Sequence, residues 1–219
     1  MTTRSTRRTR TRVAIVARRL VAHEVRALYS LGLWALRRRQ VPEGALAVAY
    51  TGPQTAMMYG LLFVSLVETV MLALVIPWPL VHAVLLVVDG YGMVLVLALH
   101  AACVVRPHLV ASDGSLRLRY GALFDLAVPA AAIVSARVER RHLGRGLVAV
   151  DPEGVLDLSV GGQTTVCVEL AEPVAFKRPL GRKEAARVLR FHADDPRAAV
   201  EALRAGGPAT PVEAPGAGA

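Results

Sequence analysis

The sequence is short of several residue types, and the first shortage concerns its source. It contains no asparagine, only two lysines (Lys177 and Lys183) and only three isoleucines (Ile15, Ile76 and Ile133). The codons for these three residue types are rich in A and T. Their scarcity therefore indicates a high-GC bacterial genome and carries no information about activity.

Cysteine is scarce as well. Cys103 lies within an apolar run, and Cys167 lies within a strand-like alternation far along the chain. Two cysteines at this separation match neither a disulfide framework nor the spacing of a zinc site. We therefore expect two unpaired, buried thiols, with no metal and no cofactor.

Charge is the third shortage. Only 20% of the residues are charged, 54% are hydrophobic, and the mean hydropathy is +0.44. A soluble domain of 219 residues typically carries more charge, so the composition favours a membrane protein.

The net charge of +9 is unevenly distributed along the chain. Residues 1–40 hold eleven arginines and one acid, which places +10 in this segment and −1 in the remainder. Such a segment can bind nucleic acid, but retention on the cytoplasmic side beside anionic lipid is the simpler interpretation.

The basic segment divides into an arm and a helix. Residues 1–12 alternate threonine with arginine, and we expect them to be disordered and, without a signal-peptide pattern, retained. From 13 to 39 the apolar residues recur at helical intervals beside a basic face, which predicts an amphipathic helix on the membrane surface with Trp34 at headgroup depth. The alternative is a helix packed on the protein's own soluble domain. The arginines expected to contact anionic headgroups here are Arg18, Arg19, Arg26, Arg37, Arg38 and Arg39.

Two long apolar runs follow a predicted loop at 41–56. Residues 57–76 and 80–105 are each about as long as a helix that crosses a bilayer. Between them the prolines of Pro-Trp-Pro at 77–79 interrupt the helix, and the tryptophan favours the membrane interface. The pattern predicts a transmembrane helical hairpin over 57–105. Arginines flank both outer ends and no charge lies at the tip, so we expect both termini to be cytoplasmic.

Two carboxylates lie within these apolar runs. Glu68 and Asp89 are equidistant in sequence from the centre of Pro-Trp-Pro, so an antiparallel hairpin places them at similar depth. If they face each other, desolvation and like-charge repulsion keep at least one of them protonated. His82, Asp89 and His100 fall within about 20° of one helical stripe. Three interpretations remain open: hydrogen bonds that join the two helices or two protomers, a proton or cation relay within an oligomer, and a docking surface for a partner.

The pattern changes after Arg106. Short alternating segments, an Asp-Gly turn at 113–114 and an Asp-Pro-Glu-Gly turn at 151–154 predict about seven β-strands. Asp194 or Asp195, followed by proline, then predicts the start of a C-terminal helix. The predicted apolar face of that helix consists of Ala199, Val200 and Leu203. The expected divisions of the chain are a basic arm, surface helix and loop at 1–56, the hairpin at 57–105, a cytoplasmic β domain at 106–205 and a disordered Gly/Ala/Pro tail at 206–219.

The stretch LRYGALFDLAVPAAAIVSARVE resembles the signature of bacterial pleckstrin-homology-like (PH-like) domains. The matching elements are a strand that ends at Tyr120-Gly121, a strand at 125–128, and the step from Pro129 to Ile133. Small bacterial membrane proteins that place such a domain after two transmembrane helices are similar to residues 57–205. The resemblance implies an α+β membrane protein whose seven strands form a PH-like β-barrel or sandwich capped by the C-terminal helix. It implies no catalytic activity.

Eukaryotic members of this family that bind inositol phosphates use basic residues on the first two strands and the loop between them. The corresponding loop here contains Asp113, an acid. The alternative for arginines near such loops is simple solvation, since acids interleave with them. The expected anionic-lipid contacts of the β domain are Arg106, Arg117, Arg119, Arg140 and Arg141.

No catalytic constellation is evident in the sequence. GRG at 144–146 and GG at 161–162 match neither a dinucleotide-binding nor a phosphate-loop pattern, and no serine lies in a nucleophile elbow. We therefore expect a non-enzymatic integral membrane protein, a membrane-anchored binding or scaffold module without a small-molecule substrate. Its expected partners are anionic lipid and, through the hairpin, another protein or a second copy. The alternative is an accessory subunit of an ion- or proton-coupled membrane complex that uses Glu68 and Asp89.

Overall fold

The computed structural model describes most of the chain as a mixed α+β structure with four helices and two β-sheets. The described residues are 18, 21–142, 146–178 and 183–206. The predicted arm at 1–12, Arg19 and residues 207–219 of the predicted tail lie outside them.

The first helix, α1, is described over residues 21–35. Its end is closed by two backbone hydrogen bonds of 2.9 Å, from Arg37 to the carbonyl of Trp34 and from Arg38 to the carbonyl of Leu33. Arg37 adopts a left-handed φ of 55° there. This is the Schellman pattern, in which the left-handed position usually belongs to glycine. A helix is therefore present within the predicted segment 13–39.

Two long helices follow. They are α2 (Gly52–Val75), with 24 residues, and α3 (Pro79–Val105), with 27 residues. Both are long and apolar enough to cross a membrane. Each has a proline in its first turn, where the missing amide hydrogen needs no partner. Extended backbone at Ile76 and Trp78, on either side of Pro77, separates the two helices.

The first sheet contains strands from both sides of these helices. It is antiparallel throughout, in the order β1-β2-β3-β4. Its strands are β1 (Leu46–Val48), β2 (His108–Val110), β3 (Leu116–Tyr120) and β4 (Phe124–Val128). Because β1 precedes α2 and β2 follows α3, the hairpin is an insertion between two neighbouring strands.

The second sheet has the order β5-β8-β9-β7-β6. Its strands are β5 (Ile133–His142), β6 (Val148–Val150), β7 (Val155–Leu158), β8 (Gln163–Lys177) and β9 (Lys183–Phe191). The pairs are antiparallel except for β7 with β9. β8 continues through Pro173 because its register with β9 shifts between Glu169 and Val174, which accommodates a residue without an amide hydrogen.

One hydrophobic core joins the two sheets to the last helix, α4 (Pro196–Gly206). Leu118 comes from the first sheet, Leu158 and Phe191 from the second, and Leu203 from α4, and all four are at most 2% exposed. Each such side chain contributes about 1.5–3 kcal/mol by leaving water. The predicted apolar face of α4 is buried, as expected.

The strands differ from the expected seven. Nine strands are assigned within the described residues, and their two sheets form no closed barrel. The segment 41–56, predicted to be a loop, contains β1 and the start of α2, so the first long helix begins at Gly52 and not at residue 57. A strand of three residues is too short to show an alternation. It forms because β2 pairs with it, although residues 49–107, which include both long helices, lie between the two strands.

Candidate functional site

Both ends of the hairpin enter the same sheet. Leu46 pairs with Val110, and Val48 pairs with His108, so β1 and β2 lie side by side. β1 ends just before α2 begins, and β2 starts just after α3 ends. We call this junction the hairpin root and define it as β1, β2 and residues 49–52. The root fixes the outer ends of both long helices to the β domain.

Two buried aromatic rings fill the hairpin root. Tyr50 is fully buried, and its ring stacks on that of His108 with centroids 4.4 Å apart. The Tyr50 hydroxyl accepts a hydrogen bond of 2.9 Å from the Gly121 amide, and Nδ1 of His108 accepts one of 3.0 Å from the Arg119 amide. Burial raises the pKa of Tyr50 and lowers the pKa of His108 to about 3. Both rings are therefore neutral at pH 7.

The C-terminal part of the β domain caps the first turn of α2. The Asp194 carboxylate accepts the Gly52 amide hydrogen, with distances of 3.0 and 3.3 Å to its two oxygens. Its own amide donates to the carbonyl of Ala49 at 2.8 Å. A carboxylate at a helix N-terminus is favourable because the free amides there carry partial positive charge. A Cβ at residue 52 would lie 2.7 Å from Asp194 Oδ1, so any larger residue here would displace the capping carboxylate.

From the sequence, either Asp194 or Asp195 was the candidate N-cap of the C-terminal helix. In the structure the two residues cap different helices. Asp195 Oδ1 accepts from the Ala198 amide at 3.1 Å and so caps α4. Asp194 instead accepts from the Gly52 amide and so caps the N-terminus of α2. No local pattern reveals this contact, because the partners are 142 residues apart.

Two of the predicted lipid-contacting arginines lie beside the hairpin root. Arg119 is 8% exposed and donates to the Gln40 carbonyl at 3.0 Å. Nε of Arg106 donates to the Gln40 side chain at 3.1 Å. Burial lowers the pKa of both guanidinium groups. Arg119 was expected to contact lipid, but it is buried against Gln40, so this charge is not presented to solvent.

The other predicted arginines lie at the surface, and two of them pair with acids. Arg117 donates to both oxygens of Asp125 at 2.7 Å. Arg141 pairs with Glu139, which also accepts from Arg137 at 3.0 Å. Exposed pairs of this kind contribute only about 0–1 kcal/mol, and they reduce the positive charge available to lipid. The remaining described arginines of the predicted set are exposed: Arg18, Arg26, Arg37, Arg38, Arg39 and Arg140.

The two sides of α1 differ. Ala27 and Ser30 are fully buried, and Nδ1 of His23 lies 3.1 Å from the carbonyl of Ala122 in the turn between β3 and β4. One face of the helix therefore packs on the protein's own β domain, which was the alternative interpretation. The contact with membrane stays a prediction. An exposed apolar stripe occupies the opposite face and consists of Val21, Val25, Leu28 and Tyr29.

Inside the hairpin, Asp89 faces Thr69. The Thr69 hydroxyl lies 3.2 Å from Asp89 Oδ2 and 2.9 Å from the Ser65 carbonyl. The hydroxyl has a single hydrogen, so it donates to only one of these two acceptors at a time. His82 joins these residues around a cavity of about 10 Å³, which holds at most one water molecule.

Glu68 lies elsewhere. Its side chain is exposed on the outer side of α2. The next residue, Thr69, lies about 100° further around the helix and occupies the position opposite Asp89. The sequence symmetry that placed the two acids at similar depth contained no information about rotation, so the structure pairs Asp89 with Thr69 and not with Glu68. His100 is buried, with its ring 6.2 Å from that of Tyr59.

The geometry defines a class of protein: a two-sheet β domain that carries an apolar helical hairpin rooted in one of its sheets. No family model, curated protein or solved structure matches this chain. Across the described ranges, no group of three or more His, Cys, Asp or Glu side chains is placed to hold a metal ion.

Proposed function

We propose that this protein is a non-enzymatic, membrane-anchored binding or scaffold module of a bacterial cytoplasmic membrane. The hairpin crosses the membrane twice, and the β domain and both termini lie on the cytoplasmic side. Arginines at both outer ends of the hairpin and none at the Pro-Trp-Pro tip support this orientation.

The observation that carries the proposal is the hairpin root. A domain tethered by one flexible linker would sample many orientations, whereas this domain is joined to two spans through neighbouring strands. The pairing of Val48 with His108 and the capping of Gly52 by Asp194 fix both connections. Such an attachment holds the β domain at a set distance and orientation from the bilayer, which suits a module that presents one surface to a partner.

The faces of α1 support a second contact with the bilayer. Its inner face holds the buried Ala27 and Ser30, and His23 on this helix contacts the carbonyl of Ala122 in the β domain. The exposed apolar stripe on its outer face, flanked by the exposed Arg18 and Arg26, has the composition of an interfacial helix. In the proposed arrangement α1 lies in the headgroup region and its arginines contact anionic lipid.

We also propose that the β domain is a PH-like domain with additional strands. Two sheets that share a core with a C-terminal helix are in keeping with the resemblance of residues 118–139. β5 is an edge strand of the second sheet, and its Val134 and Val138 are 67% and 43% exposed. An exposed apolar edge of this kind is suited to contact with another protein.

Site-specific photocrosslinking in native membranes tests this function. A photoreactive residue at Val134 or Val138 should capture a discrete membrane-associated partner. The matched control is Leu147, which is 51% exposed on the same domain but lies outside β5. Equal capture at all three positions would contradict a defined binding surface. A hydrolase or transferase activity that is lost on a point substitution within 106–205 would contradict a non-enzymatic role.

A second candidate is an accessory subunit of an ion- or proton-coupled complex. The contact of Asp89 with Thr69 and the small cavity beside His82 favour it, because titratable groups inside membrane spans often mark such pathways. The test combines Glu68→Gln with Asp89→Asn. If the complex still assembles and ion-linked activity is unchanged, the relay function fails and the polar contacts serve assembly only.

A further inference from the structure

The outer side of α2 carries an ordered seam that the hairpin does not use. The inner positions of α2, which face α3, include the buried Met58 and Thr69. One position earlier in each turn, a second row of residues runs along the outside. We call this row the outer seam, and it consists of Met57, Leu61, Val64, Glu68, Met71 and Val75.

The spacing of the outer seam is that of a helix-pairing surface. Its successive members are separated by four, three, four, three and four residues. This alternation is the heptad pattern of two helices that pack with a small left-handed crossing angle, as most membrane helices do. Every apolar member of the seam is more than half exposed, so within the described residues no other part of the chain covers it.

Glu68 distinguishes this seam from an ordinary lipid-facing surface. An ionisable side chain that faces hydrocarbon costs several kcal/mol, and such residues usually face another protein group. Neither long helix contains lysine or arginine that could neutralise Glu68. Asp89, the other acid of the hairpin, is engaged with Thr69 on the inner side. Among the described residues Glu68 is exposed, which leaves it open to a group of another molecule.

We propose that the outer seam is the interface with a second copy of this chain, in which the two Glu68 carboxyls meet and share a proton. This proposal rests on the membrane-spanning hairpin proposed above. Two copies inserted in one orientation are related by a two-fold axis along the membrane normal, so their α2 helices run parallel and each seam residue meets its own counterpart at the same depth. A carboxylic acid and a carboxylate complement each other as donor and acceptor.

The self-matching position of Glu68 is what selects a second copy over other occupants. A different partner would need a polar group at the depth of Glu68 and apolar groups at the other five positions, whereas a second copy supplies both by symmetry. A single polar residue at a core position also fixes the register of two paired helices. Two hairpins joined in this way form a four-helix arrangement, with α2 of each copy at the centre.

Disulfide crosslinking of variants with one added cysteine tests the interface in the full chain. Val64→Cys lies on the outer seam, and Val70→Cys lies on the opposite side of α2. The two positions are similarly exposed, at 58% and 51%, so they are a matched pair. Mild oxidation of native membranes should give a crosslinked dimer several-fold more strongly with Val64→Cys. The native Cys103 and Cys167 are buried and give little background.

The role of Glu68 is tested by a charge exchange in the Val64→Cys background. A chain with Glu68→Lys should crosslink poorly with itself, because two ammonium groups would meet at the seam. Coexpressed with a differently tagged chain that keeps Glu68, it should form the mixed dimer preferentially. A mixed dimer no more abundant than the self-crosslinked Glu68→Lys dimer would overturn the Glu68 pairing.

Resistance to alkaline extraction, measured on the same membranes, separates the two proposals. Equal crosslinking of Val64→Cys and Val70→Cys in a chain that resists extraction overturns the dimer and leaves the membrane function standing. Release of the chain by alkali overturns the membrane-spanning hairpin itself. A crosslinked product that contains a different protein and not a second copy also overturns the proposal.

Discussion

The Asp194 carboxylate accepts a hydrogen bond from the Gly52 amide, and this contact joins the end of the β domain to the first turn of α2. It is reinforced by the bond from the Asp194 amide to Ala49. The residue that caps the hairpin is thus supplied by the segment that precedes α4. Folding of the β domain and positioning of the hairpin are consequently coupled.

Asp194→Ala should uncouple folding of the β domain from positioning of the hairpin. Loss of an N-cap acceptor costs about 0.5–2 kcal/mol, and the effect should be confined to the start of α2. Hydrogen exchange in detergent should show faster exchange in the first turn of α2, with α3 unchanged. Asp194→Asn is the control because it keeps an acceptor oxygen. Equal acceleration in both variants would show that charge, and not the hydrogen bond, is the important property.

Tyr50→Phe should destabilise the hairpin root without changing its shape. The substitution removes the hydroxyl that accepts from Gly121 and leaves a buried amide without that partner, at a cost of about 1–3 kcal/mol. Thermal unfolding in detergent measures the effect. Tyr29→Phe, at a tyrosine that is 61% exposed on α1, should change stability by less than about 0.5 kcal/mol. A loss of similar size in both variants would contradict the assigned role of Tyr50.

Stability should depend on pH through His108. Its pKa is about 3 in the fold and about 6.5 in the unfolded chain, so between these values the unfolded state binds a proton that the folded state does not. The stability is therefore complete above pH 6.5 and is lost progressively as the pH falls toward 3. His192 has the same sign, because burial lowers its pKa as well.

Unfolding measured between pH 4 and pH 7 checks this dependence. In His108→Gln the slope of stability against pH should be smaller, whatever the stability of the variant at neutral pH. An unchanged slope would mean that another group causes the acid sensitivity.

Arg37→Gly should stabilise the protein. The left-handed conformation costs a non-glycine residue roughly 1 kcal/mol, and glycine removes this strain at the end of α1. Part of the gain is offset by the greater freedom of glycine in the unfolded chain, so an increase of about 0.5 kcal/mol in the free energy of unfolding is expected. Arg39→Gly, beyond the helix end, should bring no gain. A net loss in Arg37→Gly would show that the arginine side chain itself matters.

The sequence was sufficient for features that arise from local patterns. The two apolar runs form the long helices α2 and α3, because the length and apolarity of a run can be read from one continuous segment. The Asp-Gly and Asp-Pro-Glu-Gly turns also formed, with a positive φ of 79° at both Gly114 and Gly154. The apolar face of α4 followed from its helical spacing.

The sequence did not predict features that depend on contacts between distant segments of the chain. β1 exists because β2 lies beside it, and Arg119 is buried because the segment around Gln40 covers it. Symmetry about Pro-Trp-Pro matched the depth of Glu68 and Asp89, but the rotation of α2 about its axis depends on packing against α3. A shift of one residue moved Thr69 to the inside and Glu68 to the outside.

Membrane topology tests the central claim most directly. The measurement is labelling of Trp78→Cys, at the exposed tip, and Ser112→Cys, in the exposed turn of the β domain, with a thiol reagent that does not cross membranes. We predict that Trp78→Cys reacts in intact cells and that Ser112→Cys reacts only after the membrane is permeabilised. Reaction of Ser112→Cys in intact cells, or protection of both positions until permeabilisation, would contradict a hairpin that spans the membrane from a cytoplasmic root.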